Sequence, residues 1–304
     1  MWKAVLPGAI ALVTLGLSLV SGEVVKRESD GRQVLALAQT GAPDQAETRT
    51  TATADVRQAA AETGRPVALV IGNAAYPDTG LPLTQPVNNA RALAEALRDK
   101  GFDVQVGENL TKQGMEQAFE TFKSKIERGA AALIFFSGFG IQVARQTYMI
   151  PINAHIWNEG DVRRFGVAVE PLLAEIEAKG AGTKVVVLDA SRRNPFERRF
   201  RGLSAGLAAV NAPDETLVMY AAAPGKVVED GTGDLSPLTD ELIAQLRAPG
   251  QAAEDVFNRT RVAVSRATHR EHVPWVSSSL VDDYVFGTPE TTGTTRQSAS
   301  EQTQ

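Results

Sequence analysis

The chain has 304 residues, of which 43% are hydrophobic, and its formal net charge is -5 at pH 7. This length supports one large α/β domain or two small ones, and the acidic balance argues against a nucleic-acid-binding surface, which needs a concentrated excess of Lys and Arg. The absence of cysteine excludes disulfides, thiolate metal sites and a thiol nucleophile.

The N-terminus carries an apolar run from Ala4 to Val20, preceded by one lysine, Lys3. This composition is typical of a secretory signal, and its length also reaches the lower limit for a membrane span. We therefore predict an exported protein, periplasmic or anchored to the membrane with its domain outside the cytoplasm. Residues 1–22 are then either a cleaved signal peptide or a retained membrane anchor that inserts through residues 4–20.

Polar segments flank the central part of the chain. Residues 23–64 are rich in Ala, Thr, Gln, Asp and Glu and contain no aromatic residue, which predicts a flexible linker. Residues 287–304 are dominated by Thr, Ser, Gln and Glu and predict a disordered tail. The folded domain is therefore expected at residues 65–286.

Short apolar strands alternate with amphipathic helices inside this domain. Strands are predicted at residues 66–72, 102–106, 131–136, 184–188, 216–221 and 274–280, a hairpin around 148–152, and helices at 89–100, from the N-cap Thr111 to about 128, and at 169–179, 237–247 and 252–267. Continuous apolar strands separated by helices predict a three-layer α/β fold, with a mostly parallel central sheet of about six strands and helices on both faces. Ligands and chemistry gather at the carboxyl ends of such strands.

Nucleotide and metal motifs are not supported by the sequence. The first strand is followed by Asn73-Ala74-Ala75-Tyr76, which lacks the glycine pattern of a dinucleotide-binding turn. His269 and His272 could share one helical turn, but Val273-Pro274 follows and favours a solvated helix end over a metal site. We therefore expect no metal and no other cofactor.

Six segments together resemble one protein family. They are ALVIGNAAY at 68–76, LPLTQPVNNARALAEAL at 81–97, FFSGFG at 135–140, VVLDASRRNPF at 186–196, LSPLTDELI at 235–243 and VPWVSSSLVDDYVF at 273–286. Their order and spacing are similar to those of the bacterial caspase-like peptidases of the caspase p20 family, also called metacaspase-like or orthocaspase proteins, peptidase family C14. The resemblance covers about residues 65–286 and implies a caspase-like fold.

The resemblance also locates the catalytic dyad of that family. Its members carry Ser-Gly-His-Gly after the third strand, with histidine as the general base, and Asp-Ala-Cys-Arg after the fourth, with cysteine as the nucleophile. Here Phe139 stands at the histidine position and Ser191 at the cysteine position. Phenylalanine cannot accept a proton, and a serine hydroxyl is a poor nucleophile without a positioned base.

These substitutions predict a pseudoenzyme that binds a peptide or protein partner rather than cutting it. The alternative is an active endopeptidase that uses Ser191 with an unrecognised base, for which His155 is a candidate. The family often surrounds its specificity pocket with acids that hold an Arg or Lys side chain. Asp189 matches one such position, Asn89 replaces a second with a neutral amide, and Asp230 is a further candidate pocket acid. The alternative role for Asp189 is a strand-end carboxylate that accepts backbone N–H bonds.

A basic segment directly follows Ser191 and is the second candidate for partner binding. Its arginine and aromatic side chains are Arg192, Arg193, Phe196, Arg198, Arg199 and Phe200. Arginine and aromatic residues are favoured at interface hot spots, so these residues could form a docking surface for an acidic partner segment. The alternative is a solvated basic loop.

Overall fold

The computed structural model describes residues 64–79, 83–200 and 205–287. The predicted signal or anchor lies outside the described residues, as do nearly all of the predicted linker and tail. None of the helices in the described part is both long enough and apolar enough to cross a membrane.

Strands and helices alternate along the described chain. In order they are β1 (Val67–Gly72), α1 (Pro86–Asp99), β2 (Asp103–Glu108), α2 (Lys112–Ser124), β3 (Ala132–Ser137), β4 (Gly140–Val143), β5 (Gln146–Met149), α3 (Glu159–Phe165), β6 (Val167–Ala168), α4 (Val169–Ala178), β7 (Lys184–Asp189), β8 (Thr216–Tyr220), α5 (Pro237–Arg247), α6 (Ala253–Ala267) and β9 (Trp275–Ser278).

A six-stranded sheet forms the centre of the fold, in the order β2-β1-β3-β7-β8-β9. Neighbouring strands are parallel except β9, which runs antiparallel to β8. A second sheet joins β4, β5 and β6, and is antiparallel. The mostly parallel sheet of about six strands with helices on both faces confirms the predicted fold class.

Both faces of the central sheet are buried because helices cover each of them, and alternate side chains of each strand point to opposite faces. Leu69 and Ile71 of β1 pack with α2 and α4 on one face, whereas Ala68 and Val70 pack with α1, α5 and α6 on the other. Apolar residues therefore occupy every position of this strand. A third cluster lies beside the smaller sheet and contains Phe139.

Two local predictions differ from the structure. The hairpin lies at β4 and β5, ahead of the predicted 148–152, and its turn residues Ala144 and Arg145 have φ of 50° and 65°. Since neither is glycine, the usual signal of a tight hairpin turn is missing. Helix α3 was not predicted, although Asn158 and Asp161 form a capping box at its start.

Candidate functional site

Two motif segments meet at the carboxyl ends of the central strands. Ser137, the last residue of β3, lies opposite Asp189, the last residue of β7. The chain continues from these positions into Phe139 and Ser191. The Gly140 N–H donates to the Ala190 carbonyl oxygen at 3.2 Å, so the two segments remain adjacent beyond the sheet.

Phe139 is buried against Tyr76, with an edge-to-face ring contact at a centroid distance of 4.8 Å. The Tyr76 hydroxyl donates to the Ile150 carbonyl at 2.9 Å and accepts from the Phe139 N–H at 3.1 Å. Burial raises the pKa of Tyr76 further above neutrality, so its hydroxyl keeps the proton that it donates to Ile150 even in alkaline solution. A Cβ on Gly138 would lie 2.6 Å from the Tyr76 hydroxyl, so this close packing requires glycine.

The Ser191 side chain is fully buried, and its hydroxyl has no hydrogen-bond partner among the residues that the structure describes. Its carbonyl oxygen accepts from the Val228 N–H at 2.9 Å. His155, the alternative base, lies elsewhere: its Nδ1 is 2.9 Å from Asp78 Oδ2, and its side chain is 69% exposed. Within the described part of the chain, no base therefore contacts the Ser191 hydroxyl.

Replacing Ser191 with alanine is expected to leave the stability unchanged or to raise it by up to about 1 kcal/mol, because the variant removes a buried hydroxyl that lacks a partner. Thermal unfolding of the full chain measures this. The matched control is Ser137→Ala, which removes a buried hydroxyl that donates to Asp189 Oδ2 at 3.1 Å and should cost about 1–2 kcal/mol. A loss of that size in Ser191→Ala would mean that the hydroxyl has a structural partner.

Asp189 is held by side-chain donors from three other elements. Its Oδ2 accepts from Asn89 Nδ2 at 2.9 Å, from Ser236 Oγ at 2.7 Å and from Ser137 Oγ at 3.1 Å, with Thr239 Oγ1 at 3.5 Å. Ser236 is the N-cap of α5, and its backbone N–H donates to Asn89 Oδ1 at 2.9 Å. The carboxylate therefore also lies at the positive end of a helix dipole.

Arg192 fills the space beside this network. Its side chain is 5% exposed, its Nε donates to Asp230 Oδ1 at 2.8 Å, and its Nη1 donates to the carbonyl oxygens of Gly138, at 3.1 Å, and of Asp189. The cavity lined by Asp189, Arg192 and Asp230 has a volume of about 10 Å³. This is about the room for one water molecule, so an entering Arg or Lys side chain finds no space.

The three residues predicted to bind a basic substrate side chain are thus brought together and satisfied internally. Asn89 is a donor to Asp189, and Asp230 pairs with Arg192. The alternative for Asp189 was a carboxylate that accepts backbone N–H bonds, but the donors to its Oδ2 are side chains. Their role towards a substrate stays a prediction.

The basic segment divides into buried and exposed residues. Arg192 and Phe196 are buried, so in this conformation they offer no surface to a partner. Arg193, Arg198 and Arg199 are exposed, and Phe200 is half-buried against the third apolar cluster. Of the six residues predicted to form a docking surface, only Arg193, Arg198, Arg199 and part of Phe200 are accessible to a partner.

Trp157 was not predicted as a site residue, yet it contacts the basic segment through Arg199. Its side chain is 67% exposed, and the Arg199 guanidinium lies 4.3 Å from the centre of its ring. Arg199 Nη1 also donates to the Ile156 carbonyl at 2.6 Å. The available signal was a tryptophan followed by the polar residues Asn158 and Glu159, but its sequence distance from the basic segment concealed the contact.

A three-layer α/β domain with these two motif segments at its strand ends has the architecture of a caspase domain. The family model for the caspase domain, peptidase C14, matches residues 65–285, and the chain belongs to this family.

Two curated mammalian proteins are similar to part of the chain. The human mucosa-associated lymphoid tissue lymphoma translocation protein 1 is 27% identical over 132 residues, 43% of this chain and 16% of that protein. Its mouse homologue is 28% identical over 142 residues, 45% of this chain and 17% of the homologue. The match therefore spans less than a fifth of either relative's length.

Proposed function

We propose that this chain is an exported caspase-domain protein without peptidase activity, which acts by binding a peptide or protein partner. The main support for this proposal is that the Ser191 hydroxyl is buried and has no hydrogen-bond partner in the described part of the chain. A serine nucleophile needs a base within hydrogen-bond reach to take its proton. Phe139, at the position of the family's histidine, cannot supply one.

The state of the neighbouring pocket supports the same proposal. Arg192 occupies the space between Asp230 and the Gly138 carbonyl, and the remaining cavity is about 10 Å³. A substrate side chain would first have to displace a buried, ion-paired arginine. Binding of a substrate side chain between Asp189 and Asp230 is therefore disfavoured, and we assign the partner site to a surface outside this pocket.

The exposed part of the basic segment is the surface that we assign to the partner. Trp157 stacks with Arg199 there, and Arg198 and Arg193 of the same segment are also exposed, although Arg193 pairs with Glu197 at 3.0 Å. Tryptophan and arginine are enriched among residues that dominate binding energy, and arginine forks pair with carboxylates. The partner segment is therefore proposed to be acidic.

The purified full chain is expected to show no cleavage of reporters that end in Arg, Lys or Asp, with or without calcium. A pull-down from membrane and periplasmic fractions should capture a partner equally well with wild-type chain and Ser191→Ala. An Arg193→Gln/Arg198→Gln variant should lose that partner, whereas the control Arg98→Gln, an exposed arginine on α1, should keep it. Turnover that disappears in Ser191→Ala would overturn the proposal in favour of a serine-dependent endopeptidase.

Export is proposed from the apolar run at residues 4–20 and the polar segment that follows it. Residues 1–64 fused to a reporter that is active only outside the cytoplasm should give a signal. The control inserts two arginines into the apolar run, which should abolish the signal because charge in such a run opposes membrane insertion. A wild-type fusion that stays inactive would contradict export.

A further inference from the structure

A groove lies at the carboxyl end of α6, on the helix layer formed by α1, α5 and α6. Its open volume is about 610 Å³. The lining side chains share high exposure, and include Arg261, Val262, Arg266, His269, Arg270 and Val273. This basic groove is separate from the residues that the proposed function uses.

The charge in the basic groove is not neutralised locally. In the described part of the chain, the side chains of Arg261, Arg266 and Arg270 form no ion pair, although the neighbouring Glu271 is exposed as well. Among the described residues only Arg91, Arg192 and Arg193 are arginines in ion pairs, so an unpaired guanidinium is common, and the distinguishing feature of this groove is that three of them line one concavity. Three unpaired guanidinium groups around one concavity, in a chain of net charge -5, attract an anionic ligand.

The backbone at the edge of the basic groove is strained. His269 and Arg270 have φ of 50° and 70°, a left-handed conformation that costs any residue except glycine. Thr268 fixes this turn, since its hydroxyl donates to the Val264 carbonyl at 2.8 Å and accepts from the His272 N–H at 3.1 Å. Helices that end in this way usually carry glycine there. His269 and Arg270 thus hold a strained turn that glycine would form at less cost, and such strain is one feature found at binding sites although it also occurs in plain turns such as Ala144-Arg145.

The basic groove presents apolar as well as cationic side chains, so its ligand needs both anionic and apolar groups. Val262 and Val273 are 42% and 47% exposed within the same concavity. Arginine forks bind carboxylates in a bidentate manner, and the valines offer contact to apolar side chains. We propose that the basic groove binds a segment of a partner protein in which carboxylate and apolar side chains alternate.

The test uses the full chain and a short fluorescein-labelled peptide of alternating Glu and Leu, with binding measured by fluorescence anisotropy. Arg266→Gln/Arg270→Gln is expected to weaken binding at least about tenfold, because two charge-assisted contacts are lost. The matched control is Arg98→Gln/Arg247→Gln, two exposed arginines of the same helix layer, which should bind like wild type. A peptide with Lys in place of Glu should not bind.

Arg270→Gly separates a binding role from a structural one. Glycine relieves the left-handed strain, so the melting temperature should rise by roughly 2 °C while affinity for the peptide falls. Arg193→Gln/Arg198→Gln should leave this affinity unchanged, which distinguishes the basic groove from the proposed partner surface. The proposal would be overturned if the Arg98→Gln/Arg247→Gln control bound the peptide as weakly as Arg266→Gln/Arg270→Gln. It would also be overturned if only Arg193→Gln/Arg198→Gln lost peptide binding. A change of oligomeric mass in Arg266→Gln/Arg270→Gln would do so too, because the groove would then be a contact between copies of the chain.

Discussion

Asn89→Asp is expected to destabilise the domain by about 3 kcal/mol at pH 7, a fall in melting temperature of roughly 6–12 °C. The substitution replaces the Nδ2 donor, 2.9 Å from Asp189 Oδ2, with a second carboxylate in a buried site. Two carboxylates so close cannot both stay ionised without a cation, so the pair holds a proton in the folded state. Thermal unfolding across pH measures the effect.

The sign of the pH dependence follows from that shared proton. In the unfolded variant, residue 89 ionises near the ordinary aspartate value of about 4, whereas the folded pair binds the proton more strongly. The deficit relative to wild type should therefore be small below about pH 4 and grow as the pH rises. The control is Asn88→Asp, at the exposed neighbouring position, which should change stability by less than about 0.5 kcal/mol. A pH-independent deficit would contradict the charge explanation.

Arg192→Ala is expected to cost about 3 kcal/mol, because the Asp230 carboxylate and the carbonyls of Gly138 and Asp189 lose their donor and a cavity replaces the guanidinium. Arg193→Ala is the matched control. That side chain is 83% exposed and pairs with Glu197 on the surface, so its loss should cost no more than about 0.5 kcal/mol. Chemical denaturation measures both variants.

Arg192→Ala should also open access to position 191. Since the natural chain contains no cysteine, Ser191→Cys introduces a single thiol whose reaction with a maleimide reports access to this position. The thiol should react slowly in Ser191→Cys alone, because Ser191 is fully buried, and many-fold faster when Arg192→Ala is added. Ethylguanidinium at millimolar concentration should raise the melting temperature of Arg192→Ala but not of wild type. Equal labelling rates in both backgrounds would show that Arg192 does not close the site.

The layout of the fold and the position of the site could be predicted from the sequence. The orientation and contacts of the side chains within the site could not. Continuous apolar runs such as Val67–Gly72 identify buried parallel strands, and their carboxyl ends then locate Phe139 and Ser191. The orientation of side chains after a strand end has no comparable periodicity. Arg192 and Arg193 are adjacent and chemically identical, yet the first is buried and the second is 83% exposed. Only the loop conformation, set by distant residues such as Asp230, separates them.

The side chains that donate hydrogen bonds to Asp189 could not be predicted from the sequence for a related reason. Ser236 caps α5 directly before Pro237, but its hydrogen bond to Asp189 depends on where α5 lies against the sheet. Asn89 was interpreted as a neutral replacement for a pocket acid. In the structure it is instead a partner whose donor and acceptor atoms are both used within the fold.

The hydrogen bonds of this network have a consequence for the order in which the domain folds. Asn89 and Ser236 are 147 residues apart, and Ser137 and Asp189 are 52 apart. Contacts between such distant positions close large loops, so we expect them to form with or after the pairing of the central strands and not before it. We therefore expect the caspase-domain site to be completed late in folding. Substitutions of these few buried polar side chains are then expected to raise the unfolding rate more than they lower the folding rate, and so to shorten the lifetime of the native state.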